Sequence, residues 1–249
     1  MKKVEILVPS CDKYSDVWPF LIESIKIYWP EMSFKINIIC NGLKPLGLDD
    51  NINFIDVGED KGWSANLILA LKKIEADFIF LWIDDLILYE SVNNDKFIKI
   101  LRNFLEVNGS YLRFNPVPKY DFSYNEYFGE TSKNAIYRTS TVMTIWRKDI
   151  LFSLLREEES AWGFEYNSIF RAKELSHFFV VYKSIFAFKN VIVKGKWHPK
   201  ELSWLKLSFP HIPIGNRIEM NAFETLKLNI KSVLAIRYYN LFNLKNRYF

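Results

Sequence analysis

The apolar positions of this chain follow two rhythms. Val4 to Val8, Phe34 to Cys40, Asn53 to Val57 and Phe78 to Ile83 are short runs rich in β-branched and aromatic residues, and they read as strands. Between them, Asp16 to Tyr28 spaces Val17, Phe20, Leu21, Ile25 and Tyr28 at helical intervals. Ser64 to Ile74 does the same with Leu67, Leu71 and Ile74. The first of these helices stops at Trp29-Pro30, where the proline ring disfavours helical backbone in the residue before it. Strands alternating with helices predict an α/β fold: a mostly parallel, Rossmann-like sheet flanked by helices.

Beyond residue 90 the rhythm loosens. Lys96 to Val107 predicts a helix, Tyr111 to Phe114 and Ala135 to Trp146 predict strands, and Asn115 to Lys133 is aromatic and turn-rich. Lys148 to Glu157 predicts a short helix, and Val180 to Val193 is strand-like in part. No Gly/Pro-rich linker interrupts the chain before Arg217. The expected organisation is one domain over residues 1–217 and a helical tail over 218–249.

Composition narrows the class. Apolar residues make up 49% of the chain, enough for a sizeable core, and a charged fraction of 25% is ordinary for a globular protein. No run approaches the roughly 20 apolar residues of a membrane span. Met1-Lys2-Lys3 leads directly into a strand pattern, so no secretory leader is expected. Cys11 and Cys40 have no metal-type spacing and read as free thiols of a cytoplasmic protein.

The net charge of +4 resides in Met220 to Phe249, where Lys227, Lys231, Arg237, Lys245 and Arg247 face only Glu224. The remainder is neutral, which argues against a nucleic-acid partner. A basic tail rich in Tyr, Phe and Leu suits docking on the inner face of the cytoplasmic membrane. It equally suits a terminal helix packed on the body.

The candidate chemistry starts at Asp84-Asp85, which closes the apolar run Phe78 to Ile83. A core strand does not hold two unpaired carboxylates, so the strand is expected to end there and deliver them to a cleft. Open α/β sheets bind ligands just outside the carboxyl ends of their strands. Two carboxylates at such an edge can hold a hard divalent cation and, through it, a phosphate.

Five segments together resemble glycosyltransferases of the GT-A fold, in particular bacterial enzymes of polysaccharide assembly, capsule or O-antigen. The first is Val8-Pro9-Ser10-Cys11-Asp12 after the opening strand. The resemblance implies that Ser10 and Asp12 contact the donor nucleotide. The second is Asp60-Lys61-Gly62-Trp63-Ser64-Ala65-Asn66, in which Gly62, Trp63 and Asn66 would lie along that nucleotide. Gly62 there permits close backbone approach and Ser64 is a good N-cap for the following helix. The third is Trp82-Ile83-Asp84-Asp85, similar to the D-x-D or E-D-D motif but lacking its first acid. Asp85 would ligate Mn²⁺ or Mg²⁺, and Asp84 would contact the nucleotide.

The fourth segment is Trp162-Gly163-Phe164-Glu165. By resemblance Glu165 is the general base of an inverting transfer, and Trp162 walls the acceptor site. The neighbouring Glu157, Glu158 and Glu159 read as a solvated face. The fifth is Lys194-Gly195-Lys196-Trp197-His198, a basic loop whose lysines would offset the donor diphosphate and whose histidine could complete a metal site. The implied partners are a nucleotide-diphosphate sugar and a glycan or lipid-linked acceptor. A sugar-nucleotide pyrophosphorylase is disfavoured, because the loop after the first strand has no glycine to cradle a triphosphate. A non-catalytic carbohydrate-binding protein would give no reason for an acidic pair at a strand end.

Overall fold

The structure is a computed structural model that describes residues 2–43, 51–135, 137–228 and 230. It falls into two compact units, Met1–Lys189 and Asn190–Phe249. In the first unit the chain forms β1 (Val4–Val8), α1 (Trp18–Tyr28), β2 (Ile36–Cys40), β3 (Ile52–Asp56), α2 (Trp63–Lys73) and β4 (Phe78–Leu81). There follow β5 (Leu86–Leu88), α3 (Asn94–Glu106), β6 (Tyr111–Arg113), β7 (Phe122–Ser123) and β8 (Phe128–Glu130). Next come β9 (Thr144–Arg147), α4 (Lys148–Leu154), α5 (Ala161–Arg171), β10 (Phe178–Val181) and β11 (Phe188–Asn190), the last paired with β5.

Nine strands make one sheet in the order β3-β2-β1-β4-β9-β6-β10-β8-β7. The first four are parallel, with α1 crossing from β1 to β2 and α2 from β3 to β4 as expected. Parallel strands bury both faces, which is why β4 reads as a continuous apolar run and β2 is buried throughout. β9 enters antiparallel between β4 and β6. β10 is parallel to β6, and β8 and β7 close that side antiparallel.

The two faces are packed differently. One is mainly aliphatic: Leu67 and Leu71 of α2, with Leu151 and Leu154 of α4, cover Leu7, Ile39, Ile79 and Leu81. The other is aromatic. Phe97 of α3 lies 4.7 Å from Trp29 and about 6 Å from Phe80, Phe114 and Phe186, ring centre to ring centre. Burying one such ring stabilises the fold by about 1.5–3 kcal/mol. Asn93 caps α3 by accepting the Lys96 N–H, so the helix that carries Phe97 begins where its first free amide finds a partner.

One predicted strand is largely absent. Of the described residues from Ala135 to Trp146, only those from Thr144 pair in the sheet, and Tyr137 to Met143 are loop. Positive φ at Tyr137 and Met143 breaks the extended backbone. The buried Arg138 guanidinium donates to the carbonyls of Ala172 and Leu175 rather than facing solvent from a strand.

In the second unit β12 (Ile192–Val193) and β13 (Lys196–Trp197) form a hairpin, followed by α6 (Pro199–Ser208). The sequence-predicted basic loop is therefore the tip of this hairpin. Lys194 and Gly195, both at positive φ, make its two-residue turn, a geometry that matches strand twist. Buried Trp197 also pairs through its backbone with Ile218 and Met220. Among the described residues no helix is long and apolar enough to cross a membrane. Of the tail, residues 231–249 and Asn229 lie outside the described residues. With them go Lys231, Arg237, Lys245 and Arg247 of the expected basic tail.

Candidate active site

Three loops meet at the carboxyl edge of β1, β3 and β4. After β1, Ser10 accepts the buried Trp18 indole N–H at 2.7 Å and donates to Asp84 at 2.5 Å. This relay fixes the strand-end aspartate to the first loop. Asp84 is buried, whereas Asp85 is half-buried in the turn between β4 and β5. Burial pushes the Cys11 thiol up, and the Asp60 and Asp84 carboxylates add to that shift. Both cysteines are free.

Asp12 has a definite local task. Its carboxylate accepts the backbone amides of Asn41 at 2.7 Å and Leu43 at 3.1 Å, which joins the β1 loop to the end of β2. After β3, the Asp60 carboxylate accepts the Gly62 amide and the Asn66 side-chain amide, while Asn66 accepts the Lys61 amide. These bonds shape a tight turn into α2. The helix N-cap is Gly62, at φ 96°, not the expected Ser64. Ser64 lies two positions inside, buried, and its hydroxyl has no hydrogen-bond partner. Glycine at the cap leaves the first amides of α2 uncovered by a side chain, the arrangement that suits an anion.

The fourth segment lies alongside. Trp63 at the start of α2 meets Phe164 of α5 at 5.6 Å between ring centres, so the two helix starts are neighbours. Ser160 caps α5 by accepting the Gly163 amide. Glu165 then sits in the first turns, half-buried. Its Oε1 accepts three hydrogen bonds: the Thr141 amide at 2.6 Å, the Ser140 hydroxyl at 2.9 Å and the Thr141 hydroxyl at 3.0 Å. Thr139 donates to the Glu165 backbone carbonyl and accepts from Ser168. Below, burial pushes the Tyr111 phenol well up; Arg113 opposes that shift and the Glu165 carboxylate adds to it.

Sequence reasoning missed Ser140 and Thr141. The signal was present: Arg138-Thr139-Ser140-Thr141 is four consecutive polar residues inside a supposed strand, which breaks strand alternation. The loop runs along α5 from its carboxyl end, where Arg138 satisfies the terminal carbonyls, to Glu165 at its start. Trp162 is 81% exposed, free to present its ring to a ligand.

The residues of the fifth segment belong to the second unit. Lys196 is paired with Glu224 at 2.6 Å, and Lys194 is exposed at the hairpin tip. His198 is the N-cap of α6, and its buried Nδ1 has no hydrogen-bond partner. Among the described residues no group of three or more His, Cys, Asp or Glu side chains could hold a metal ion. The acidic pair therefore does not fit a resident metal cage. It fits a hard cation that takes one or two protein carboxylates and completes its shell with phosphate oxygens.

This sheet order, with helices on both faces and an acidic pair at the carboxyl edge, is a GT-A-like fold. Among solved structures, Staphylococcus aureus TarS residues 1–349 superpose with a TM-score of 0.51 at 15% identity, over 74% of this chain and 59% of that one. The longer S. aureus TarS structure gives 0.50 at 16% identity, over 75% of this chain and 36% of TarS. TarS 1–349 in complex with UDP gives 0.50 at 14% identity, over 75% and 60%. The chain thus spans well under two thirds of TarS. No protein-family model and no curated protein sequence matches it.

Proposed function

We propose that this chain is a glycosyltransferase that moves a sugar from a nucleotide-diphosphate donor to a glycan or lipid-linked glycan, with inversion at the anomeric carbon. The acceptor class is that of bacterial polysaccharide assembly, of capsule or O-antigen type. The observation that carries this reading is the Glu165 carboxylate. One oxygen is held by three donors, and the helix start that bears it packs against the glycine-capped start of α2.

The donor nucleotide would lie across Ser10, Asp12 and Asp84, with its diphosphate toward Gly62, Trp63 and Asn66. Mn²⁺ or Mg²⁺ at Asp85 would supply electrostatic stabilisation of the departing diphosphate. The acceptor hydroxyl oxygen attacks the anomeric carbon as the bond from that carbon to the diphosphate oxygen breaks. The hydroxyl proton passes to Glu165, whose Oε1 is already saturated, so Oε2 receives it. Trp162 stacks against the acceptor sugar and keeps its hydroxyl in line.

The proposed membrane contact begins in the described part of the tail, where Phe223, Leu226 and Ile230 are exposed beside Lys227. Flotation with anionic liposomes at low and high salt tests it, and protein that ignores such liposomes would remove it. For the reaction, UDP is the first nucleotide to try, since TarS of the same fold binds it. A thermal-shift screen of nucleoside diphosphates with and without Mn²⁺, followed by donor turnover, tests the function. A melting temperature unmoved by every nucleotide would sink this reading.

A further inference from the structure

Helix α5 continues the ring of Trp162 with two more that the proposed reaction does not use, Tyr166 and Phe170. Trp162, Tyr166 and Phe170 are 81%, 68% and 68% exposed, although large aromatic residues normally contribute to cores. They stand four residues apart, so they share one helix face, each about 6 Å further along the axis. Tyr166 and Phe170 meet edge to face at 5.9 Å and 72°. The opposite face of the same helix is the one that packs, through Phe164, Ser168 and Ala172. The row is therefore surplus to the fold, and an exposed aromatic surface of this kind marks a binding surface.

Charge and position select the occupant. The segment just before the helix is acidic and exposed at Glu157 and Glu158, which repels an anionic bilayer or a polyanion. The charges on the far flank are spent on each other: Arg171 grips Glu159 through two hydrogen bonds, and Asn167 adds a third. What remains is a stepped row of uncharged aromatic rings whose first ring is one helical turn from Glu165. A pyranose presents a flat face of C–H bonds that stacks on an aromatic ring, and successive sugars of an extended chain repeat on a scale comparable with these steps.

We propose that Trp162, Tyr166 and Phe170 form a track for a linear, uncharged glycan acceptor, with Trp162 under the reacting sugar and Tyr166 and Phe170 under the successive sugars behind it. The proposal rests on the transferase reading and extends it: the acceptor is a chain, and the enzyme measures its length. The test uses full-length labelled protein on an array of neutral linear oligosaccharides from monosaccharide to hexasaccharide, with UDP thermal shift run in parallel. Affinity should rise up to three or more sugars. The double variant Tyr166→Ala/Phe170→Ala should lose about tenfold or more on the long chains only, with its UDP response unchanged. Both side chains are exposed, so the variant should fold. No array binding, equal affinity at every length, or a double variant that binds long chains as before would overturn the track. So would a dimer that the double variant disperses, since the rings would then serve a second copy of the chain. Array binding without any UDP response would sink the transferase reading and keep the track.

Discussion

The acidic turn at Asp84-Asp85 and the carboxylate at Glu165 are built in opposite ways. The first is local: a buried strand ends, and two adjacent residues emerge at its tip, held to the neighbouring loop by one serine. The second is assembled from a distance. A loop more than twenty residues upstream folds along α5 and clamps one oxygen with two side chains and an amide. The local site leaves Asp85 half-buried at the turn; the assembled site fixes its carboxylate in place. On the proposed reading, the difference teaches that holding a cation tolerates a simple ledge, whereas proton transfer needs geometry that only tertiary structure supplies.

The sharpest way to break this contrast is Glu165→Gln. It keeps the shape and leaves the Ser140 and Thr141 donors an oxygen to bind. Steady-state turnover should fall by about 10²-fold or more, while UDP still raises the melting temperature as in the parent. Near-parental turnover would remove Glu165 from the mechanism. Next in size is Thr141→Val, which deletes a buried hydroxyl bonded to a carboxylate. Hydrogen bonds to charged groups contribute about 1.5–3 kcal/mol, so the urea midpoint should drop accordingly, with a loss of turnover and little change in UDP binding.

On the local side, Ser10→Ala strands the buried Trp18 indole N–H without its acceptor. It should cost about 1–3 kcal/mol of stability, read by denaturant unfolding. An unchanged midpoint would mean the relay carries nothing. Asp85→Asn should reduce the Mn²⁺-dependent part of UDP binding by about tenfold, equivalent to 1.4 kcal/mol, and leave metal-free binding alone. Calorimetry with and without Mn²⁺ separates the two.

The smallest effect concerns acid. The Arg171 guanidinium beside Glu159 holds that carboxyl below its usual value, against the opposing effect of burial. A depressed carboxyl contributes stability that is full above its unfolded value and is lost as pH falls through the folded one. Parent protein should therefore lose up to about 1 kcal/mol relative to Arg171→Ala as pH drops below about 4. Two unfolding curves that stay parallel across that range would dismiss the clasp.

The same contrast explains what was legible in sequence. The parallel half of the sheet was readable because continuous apolar runs and helical spacing are local signals, and its strand and helix positions match to within a few residues. The acidic pair inherited that legibility from β4. The antiparallel half was not readable in the same way: Thr139 to Thr141 form a loop whose partners lie on a helix about 25 residues later. The N-cap of α2 fell to Gly62 instead of Ser64 because the Asp60–Asn66 bonds tighten the turn, which spacing alone does not reveal.

The insertion of β9 also dictates how the molecule is made. Strand β4 finds its second neighbour in residues 144–147, about sixty positions further along the chain. During synthesis at about 5–20 residues per second, the parallel half emerges seconds before its last hydrogen-bonding edge is covered. A nascent chain halted between these points presents an apolar, unpaired strand, the template for wrong pairing between chains. Ribosome-bound fragments ending before Thr144 should engage chaperones, and those reaching Arg147 and the α4 segment should release them.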